Sequence, residues 1–185
     1  MKFGIIKFLA SVFLANLVRL ARFIPNNDPI MAFMLPVSKN EKAYKAFLFP
    51  FVTMVSFDII TGYIGVWTLV TALTYAGLGL FFSRYMKKRI ENKKNIGLKN
   101  YLGCGVLGVL IFDFVTGVLA TPFMFGMSFE QAFVGQIPFT LLHLASVSAF
   151  IVVLVPILDR HVLENSHLDD VKVLAFFKSL FVARA

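Results

Sequence analysis

Two stretches of this chain carry almost no charge, and they limit what it can fold into more than any other feature. Ala46 to Phe82 contains one charged residue, Asp58, and Tyr101 to Leu158 contains two, Asp113 and Glu130. A soluble domain keeps about 25% of its residues charged, against 15% here. No soluble core of this size hides such runs, whereas a bilayer requires them. In lipid the backbone must satisfy its own polar groups, which leaves α-helices and closed β-barrels. The apolar runs are continuous rather than alternating, so the expected class is an all-α integral membrane protein and not a barrel.

A spanning helix needs about 20 residues. Ala46 to Phe82 has room for two, with the break at Gly62-Tyr63-Ile64-Gly65. Tyr101 to Ala120 reads as another helix ended by Thr121-Pro122, and Phe133 to Leu158 as the last, with Pro138 and Pro156 as kinks or ends. Phe3 to Phe23 is apolar but interrupted by Lys7, Asn16, Arg19 and Arg22. The two arginines fall where a signal peptide would have its small-residue cleavage site, so a retained first helix is expected. The turn-rich Ile24-Pro25-Asn26-Asn27-Asp28-Pro29 follows, and then Ile30 to Val37, too short to span alone. If that piece crosses with its flanks, there are six passes with both termini inside. If it does not, there are five, with the N-terminus outside.

Both arrangements put the basic block on the cytoplasmic side: Arg84, Lys87, Lys88, Arg89, Lys93, Lys94 and Lys99, within residues 84–99. The formal net charge of +8 is then accounted for by this loop bias and by contact with anionic lipid, without nucleic acid. The expected organisation is one transmembrane helical domain over 1–160 and a cytoplasmic or interfacial tail over 161–185. In the tail, Ser166 with Asp169 resembles a capping box, and Leu174, Phe177 and Phe181 share a face, the pattern of an amphipathic surface helix.

Few side chains carry chemistry. The pattern Phe57-Asp58-Ile-Ile-Thr61-Gly62 recurs as Phe112-Asp113-Phe-Val-Thr116-Gly117. A carboxylate at membrane depth normally faces a cavity or a partner, which makes Asp58, Thr61, Asp113 and Thr116 ion-site candidates. The same spacing near a helix end equally suits local backbone bonding. An intramembrane aspartyl protease would carry Gly-x-Gly-Asp, and neither copy has it. His143 and Gln136 lie two turns apart on the last helix and, with Gln131, Glu130 and Thr140, either line a polar pocket or satisfy one another between helices. A lone His is a poor metal site, and the single Cys104, set among glycines, excludes an internal disulfide and any Cys cluster. Trp67 and Tyr63 fit an interfacial aromatic belt or a stacking surface at the outer mouth. Ser11-x-x-x-Ala15, Ala72-x-x-x-Ala76 and Gly103, Gly105 and Gly108 permit close helix approach. There is no phosphate-binding loop, nucleophile elbow, His-Glu-x-x-His or dinucleotide fingerprint, so the chain is not read as an enzyme.

Taken together, the layout resembles the substrate-binding (S) component of energy-coupling factor (ECF) transporters. The likeness covers about residues 5 to 160 and is carried by four features. Ser11-x-x-x-Ala15 in the first helix is similar to that family's Ala-x-x-x-Ala, with Ser in place of the first Ala. Then come the Arg22-Phe-Ile-Pro25-Asn-Asn-Asp28-Pro29 loop with its short apolar piece, and a helix ending in Ser56-Phe-Asp58-Ile-Ile-Thr-Gly62. The fourth feature is a compact six-span unit with a basic cytoplasmic loop. The resemblance implies capture of a small molecule, vitamin-like or a metal ion, in an outward-facing pocket. That pocket would be lined by Trp67, Thr68, Asp113, Gln136, Thr140 and His143 and covered by the loop holding Asn26, Asn27 and Asp28. Ser11 and Ala15 would meet a membrane coupling subunit. A pair of ATPases would use the ATP, with no cofactor in this chain. Two other readings remain open: a self-contained permease or channel using Asp58 and Asp113, and a scaffold that transports nothing.

Overall fold

A computed structural model describes residues 4–159. The described chain is helical, with no strand among the described residues. Six helices follow one another: α1 Ile5–Ala21, α2 Ile30–Asn40, α3 Ala43–Thr61, α4 Val66–Glu91, α5 Leu98–Phe125 and α6 Phe129–Ile157. Four of them, α3 to α6, are long and apolar enough to cross a membrane. The other two fall short of a hydrocarbon core about 30 Å thick: α1 has 17 residues and α2 only 11, about 16 Å.

The sequence explains most helix ends. The α3–α4 break falls at Gly62-Tyr63-Ile64-Gly65 as expected. Gly62 takes the left-handed φ of 77° that closes α3. The Tyr63 N–H donates to the Asp58 carbonyl at 2.9 Å and the Gly62 N–H to that of Ile59 at 3.3 Å, a Schellman ending. The other expected ends move. Thr121-Pro122 does not stop α5, because Pro122 sits in the first turn after a π-helical stretch, Phe114–Ala120, where its missing N–H costs little. Gly126 at φ 70° ends the helix instead. The last helix starts at Phe129 and not Phe133, because Ser128 and Gln131 form a reciprocal capping box with both bonds at 3.1 Å. Gln131 is thereby committed to a cap rather than to a pocket. The amphipathic helix expected over 161–185 lies outside the described residues.

Helix direction reverses at every turn, so the ends sort into two groups. Arg19, Asp58, Trp67, Thr121 and Gln136 surround one cavity, which places the C-terminal ends of α1, α3 and α5 beside the N-terminal ends of α4 and α6. The basic block, at the far end of the 26-residue α4, is then about 39 Å away. Ile5 and Ile157 share that basic end. There Asp159 accepts from Lys39 Nζ at 2.5 Å, Asn40 Nδ2 at 2.7 Å and Tyr101 Oη at 3.1 Å, tying α2, α5 and the end of α6 together.

Helix α2 is the core. Ile30, Met31, Met34 and Leu35 are fully buried, as expected of a short helix apolar on every side. Glycines let the longer helices close around it: a methyl group on Gly108 would overlap Met31 and Phe82, one on Gly79 the Ala46 carbonyl, and one on Gly105 Ile151. Gly103, grouped with these by spacing, faces open space. The outer surface is apolar, with Leu9, Phe13 and Leu17 on α1, Leu69 and Leu73 on α4, and Leu141 and Val153 on α6 all exposed.

Candidate functional site

The site begins with the segment between α1 and α2. Arg22 ends α1 in the left-handed region at φ 48°, and Asn26 adopts φ 55°. Asn27 Nδ2 donates to the carbonyl of Val18 and, at 3.3 Å, to that of Arg19, satisfying acceptors left open at the helix end. Asn26 Nδ2 donates to the Phe139 carbonyl on α6 at 3.0 Å. The segment is thus folded back over its own helix and fastened across to the last one.

Asp28 is its anchor. Oδ1 accepts from the Ile30 N–H at 2.9 Å, capping the start of α2. Oδ2 accepts from the Tyr75 hydroxyl of α4 and lies 3.5 Å from His143 Nε2 of α6. That last separation is at the limit of hydrogen bonding, and Nε2 has no well-formed hydrogen bond of its own. Burial pushes the Asp28 carboxyl up. The His143 contact, the Arg19 charge and the Tyr75 hydroxyl outweigh it and hold the group well below the usual carboxylate range.

On its other side His143 Nδ1 is 2.8 Å from Asp113 Oδ1. The imidazole is buried and packs edge-on against Phe112 and Phe139, ring centres 5.9 Å apart in both cases. Asp113 is buried too, and its Oδ2 has no hydrogen-bond partner. Asp28, His143 and Asp113 therefore form a carboxylate–imidazole–carboxylate chain drawn from three parts of the sequence, with Tyr75 as an added donor. Burying such polar groups is tolerated only because each faces another.

Beside this chain lies a cavity of about 860 Å³. Of the residues expected in a pocket, it brings together Asn26, Asn27, Asp28, Trp67, Gln136 and His143, and it adds Asp58 and Thr116. Three of the expected lining residues, Thr68, Thr140 and Asp113, lie off its wall. The Thr68 side chain accepts from the Gly65 N–H at 3.0 Å and caps α4; its neighbour one turn on, Thr71, reaches the cavity. Thr140 takes a bond from Gln136 Nε2 at 3.3 Å and lines a smaller groove of about 260 Å³ between α5 and α6, which Asp113 also borders.

The two Asp-x-x-Thr-Gly copies are not equivalent. In the first, Thr61 Oγ1 donates back to the Phe57 carbonyl at 2.9 Å and Gly62 ends the helix, leaving Asp58 at the cavity rim. In the second, Thr116 Oγ1 donates to the Phe112 carbonyl at 2.8 Å while the helix runs on. There Gly117 makes room for the Gln136 side chain, which a Cβ would overlap. No hydrogen bond or ion pair joins Asp58 to Asp113 among the described residues.

Ser11 and Ala15 are buried in the bundle. The small-residue face of α1 is used for the chain's own packing, and as placed it is not open to a coupling subunit. The residues on the cavity wall that sequence reasoning did not assign to the site include Arg19, Arg22, Tyr75, Phe112 and Phe139. The arginines carried a signal, being charges inside an otherwise apolar helix; Tyr75 had none beyond a hydroxyl in an apolar run. Among the described residues no cluster of three or more metal-ligating side chains is arranged to hold an ion.

No curated protein and no solved structure matches the chain. The model of a family of unknown function, DUF6580, matches residues 2–165, most of the sequence, and the protein belongs to that family.

Proposed function

We propose that the protein is a multi-pass cell-membrane subunit that captures a small molecule and hands it to a separate ATP-driven coupling module, as the S components of ECF transporters do. The cavity end faces outward and the basic loop 84–99 faces the cytoplasm, the orientation that the charge bias favours. Six helices alternating in direction then put both termini inside, with α2 a short buried pass reached by the inward-dipping 22–29 segment.

The observation that carries this reading is the cavity itself. It has the volume of a small-molecule site and sits at one end of an apolar-surfaced bundle. One wall is a strap, residues 22–29, held by a few polar contacts to α4 and α6. A wall of that kind can be displaced without unfolding the bundle. A buried carboxylate–imidazole chain at its anchor gives the bound and released states something to differ in. Purified protein subjected to thermal shift against a panel of vitamins and divalent metals tests the reading. A ligand that raises the melting temperature supports capture, and substrate flux through this protein alone in liposomes sinks the subunit reading.

One observation favours a second reading. The Asp28–His143–Asp113 chain joins the cavity to the groove between α5 and α6, an arrangement that suits proton passage in a self-contained permease. A pH-gradient-driven flux in liposomes, abolished by Asp113→Asn, would select it.

A further inference from the structure

We infer that the cavity is built for a flat organic anion: a small carboxylate with an aromatic or conjugated body, its carboxylate seated on Arg19 and Arg22. This deepens the capture reading and rests on it.

The charged groups around the cavity differ in how far their hydrogen-bonding edges are already used. Arg19, in the last turn of α1, and Arg22, the residue that ends it, both border the cavity. The Arg19 guanidinium lies 3.9 Å over the Phe57 ring, and its Nη1 donates to the Met54 sulfur at 3.1 Å. Neither arginine forms an ion pair among the described residues. The nearby carboxylate of Asp28 is already engaged through both oxygens, by Ile30 and by Tyr75 with His143. Asp58 is the remaining carboxylate on the wall. Two guanidiniums thus face two carboxylates, but the oxygens of Asp28 are already engaged and no described acid is paired with either arginine, so the free donors on this wall are the arginines'. Arginine holds carboxylates in paired, planar bonds, and a stacked guanidinium has its donor edge free for that purpose. Arg22 is held there at a left-handed backbone angle that L-residues rarely adopt.

The rest of the wall sets the body. Phe57, Trp67, Phe112 and Phe139 present rings to the cavity, and Trp67 is held by Phe125, centres 5.6 Å apart. Such walls favour a flat partner. Asp58 is the competing pole and would favour a cation.

Three matched probes separate the poles: indole-3-acetate, indole-3-acetamide and tryptamine, titrated calorimetrically against the whole chain in zwitterionic-lipid nanodiscs. A hydrogen-bonded charge pair predicts that the acid binds about 10- to 100-fold more tightly than the amide, with the amine weakest. Arg19→Gln and Arg22→Gln should each bring the acid toward the amide's affinity, weakening the acid several-fold more than the amide, with the ligand-free melting temperature as the folding control. Tightest binding of tryptamine, or equal binding of all three, overturns the anion assignment and leaves capture standing. If none binds, the small molecule released on denaturing the purified protein is read by mass spectrometry. A released organic anion sustains the assignment, and a neutral or cationic one overturns it. An empty extract removes the assignment together with the capture reading.

Discussion

Asp28→Ala should loosen the strap and cost about 3 kcal/mol of stability. The loss has two parts. Removing a helix cap costs about 1 kcal/mol, and Oδ1 caps α2 through the Ile30 N–H. Leaving a buried donor unsatisfied costs about 1–3 kcal/mol, and the fully buried Tyr75 loses its acceptor. Asp28→Asn keeps an oxygen for the cap and a polar group for the tyrosine hydroxyl, so it should cost about 1 kcal/mol, the worth of an ordinary hydrogen bond. Tyr75→Phe alone should cost about 1.5–3 kcal/mol, because its bond is to an ionised group. The double variant Asp28→Ala with Tyr75→Phe should then cost less than the sum by at least 1 kcal/mol, since residues sharing a bond are coupled. Reversible SDS unfolding of the four proteins in mixed micelles, followed by helical circular dichroism, measures the cycle. Strict additivity would refute the claim that Asp28 and Tyr75 hold the strap together.

Other outcomes follow from the same geometry. Gly79→Ala should destabilise by about 1–3 kcal/mol, because its Cβ would overlap the Ala46 backbone carbonyl, while Gly103→Ala, inside α5 and facing open space, should stabilise by about 0.5–1 kcal/mol; thermal unfolding of both variants decides it. Asp159→Ala should cost about 2 kcal/mol, because Lys39, Asn40 and Tyr101 lose a shared acceptor, and the loss should be absent from Lys88→Ala. The Asp28 carboxyl is held below its ordinary value, so its contribution to stability is complete above the unfolded carboxylate range, about pH 4. It is lost as pH falls further, through the folded value. A fall in stability below about pH 4, which Asp28→Asn diminishes, is the expected result.

How much of this was legible in the sequence depends on the range of the interaction. The helical class, the Gly62–Gly65 break and the strap between α1 and α2 come from apolar runs and turn residues, which act locally. The helix ends at 125 and 129 were missed because each depends on a neighbour: the π-helical stretch that carries Pro122 in its wake, and the Ser128–Gln131 box that begins α6 early. The pocket was half legible. His143, Gln136, Asp28 and Trp67 stood out as polar or amphipathic groups in apolar surroundings. What could not be read was the pairing. Asp58 and Asp113 look like twins in sequence, yet one sits at a rim and the other behind an imidazole, because only the second has a histidine-bearing helix packed against it. Ser11 and Ala15 show a related limit: small residues announce close packing without saying which surface they meet, and here both are buried within the bundle.

The central claim is that the cavity under residues 22–29 holds a small molecule, and occupancy is the quantity to measure. Native mass spectrometry of the intact protein, released gently from nanodiscs, reads it directly. The account predicts one small molecule per chain in the wild type, and a marked loss of it when Gly117→Leu drives a side chain into the space now used by Gln136 at the cavity wall. A bare chain in both proteins, with substrate flux through the protein alone, would contradict it.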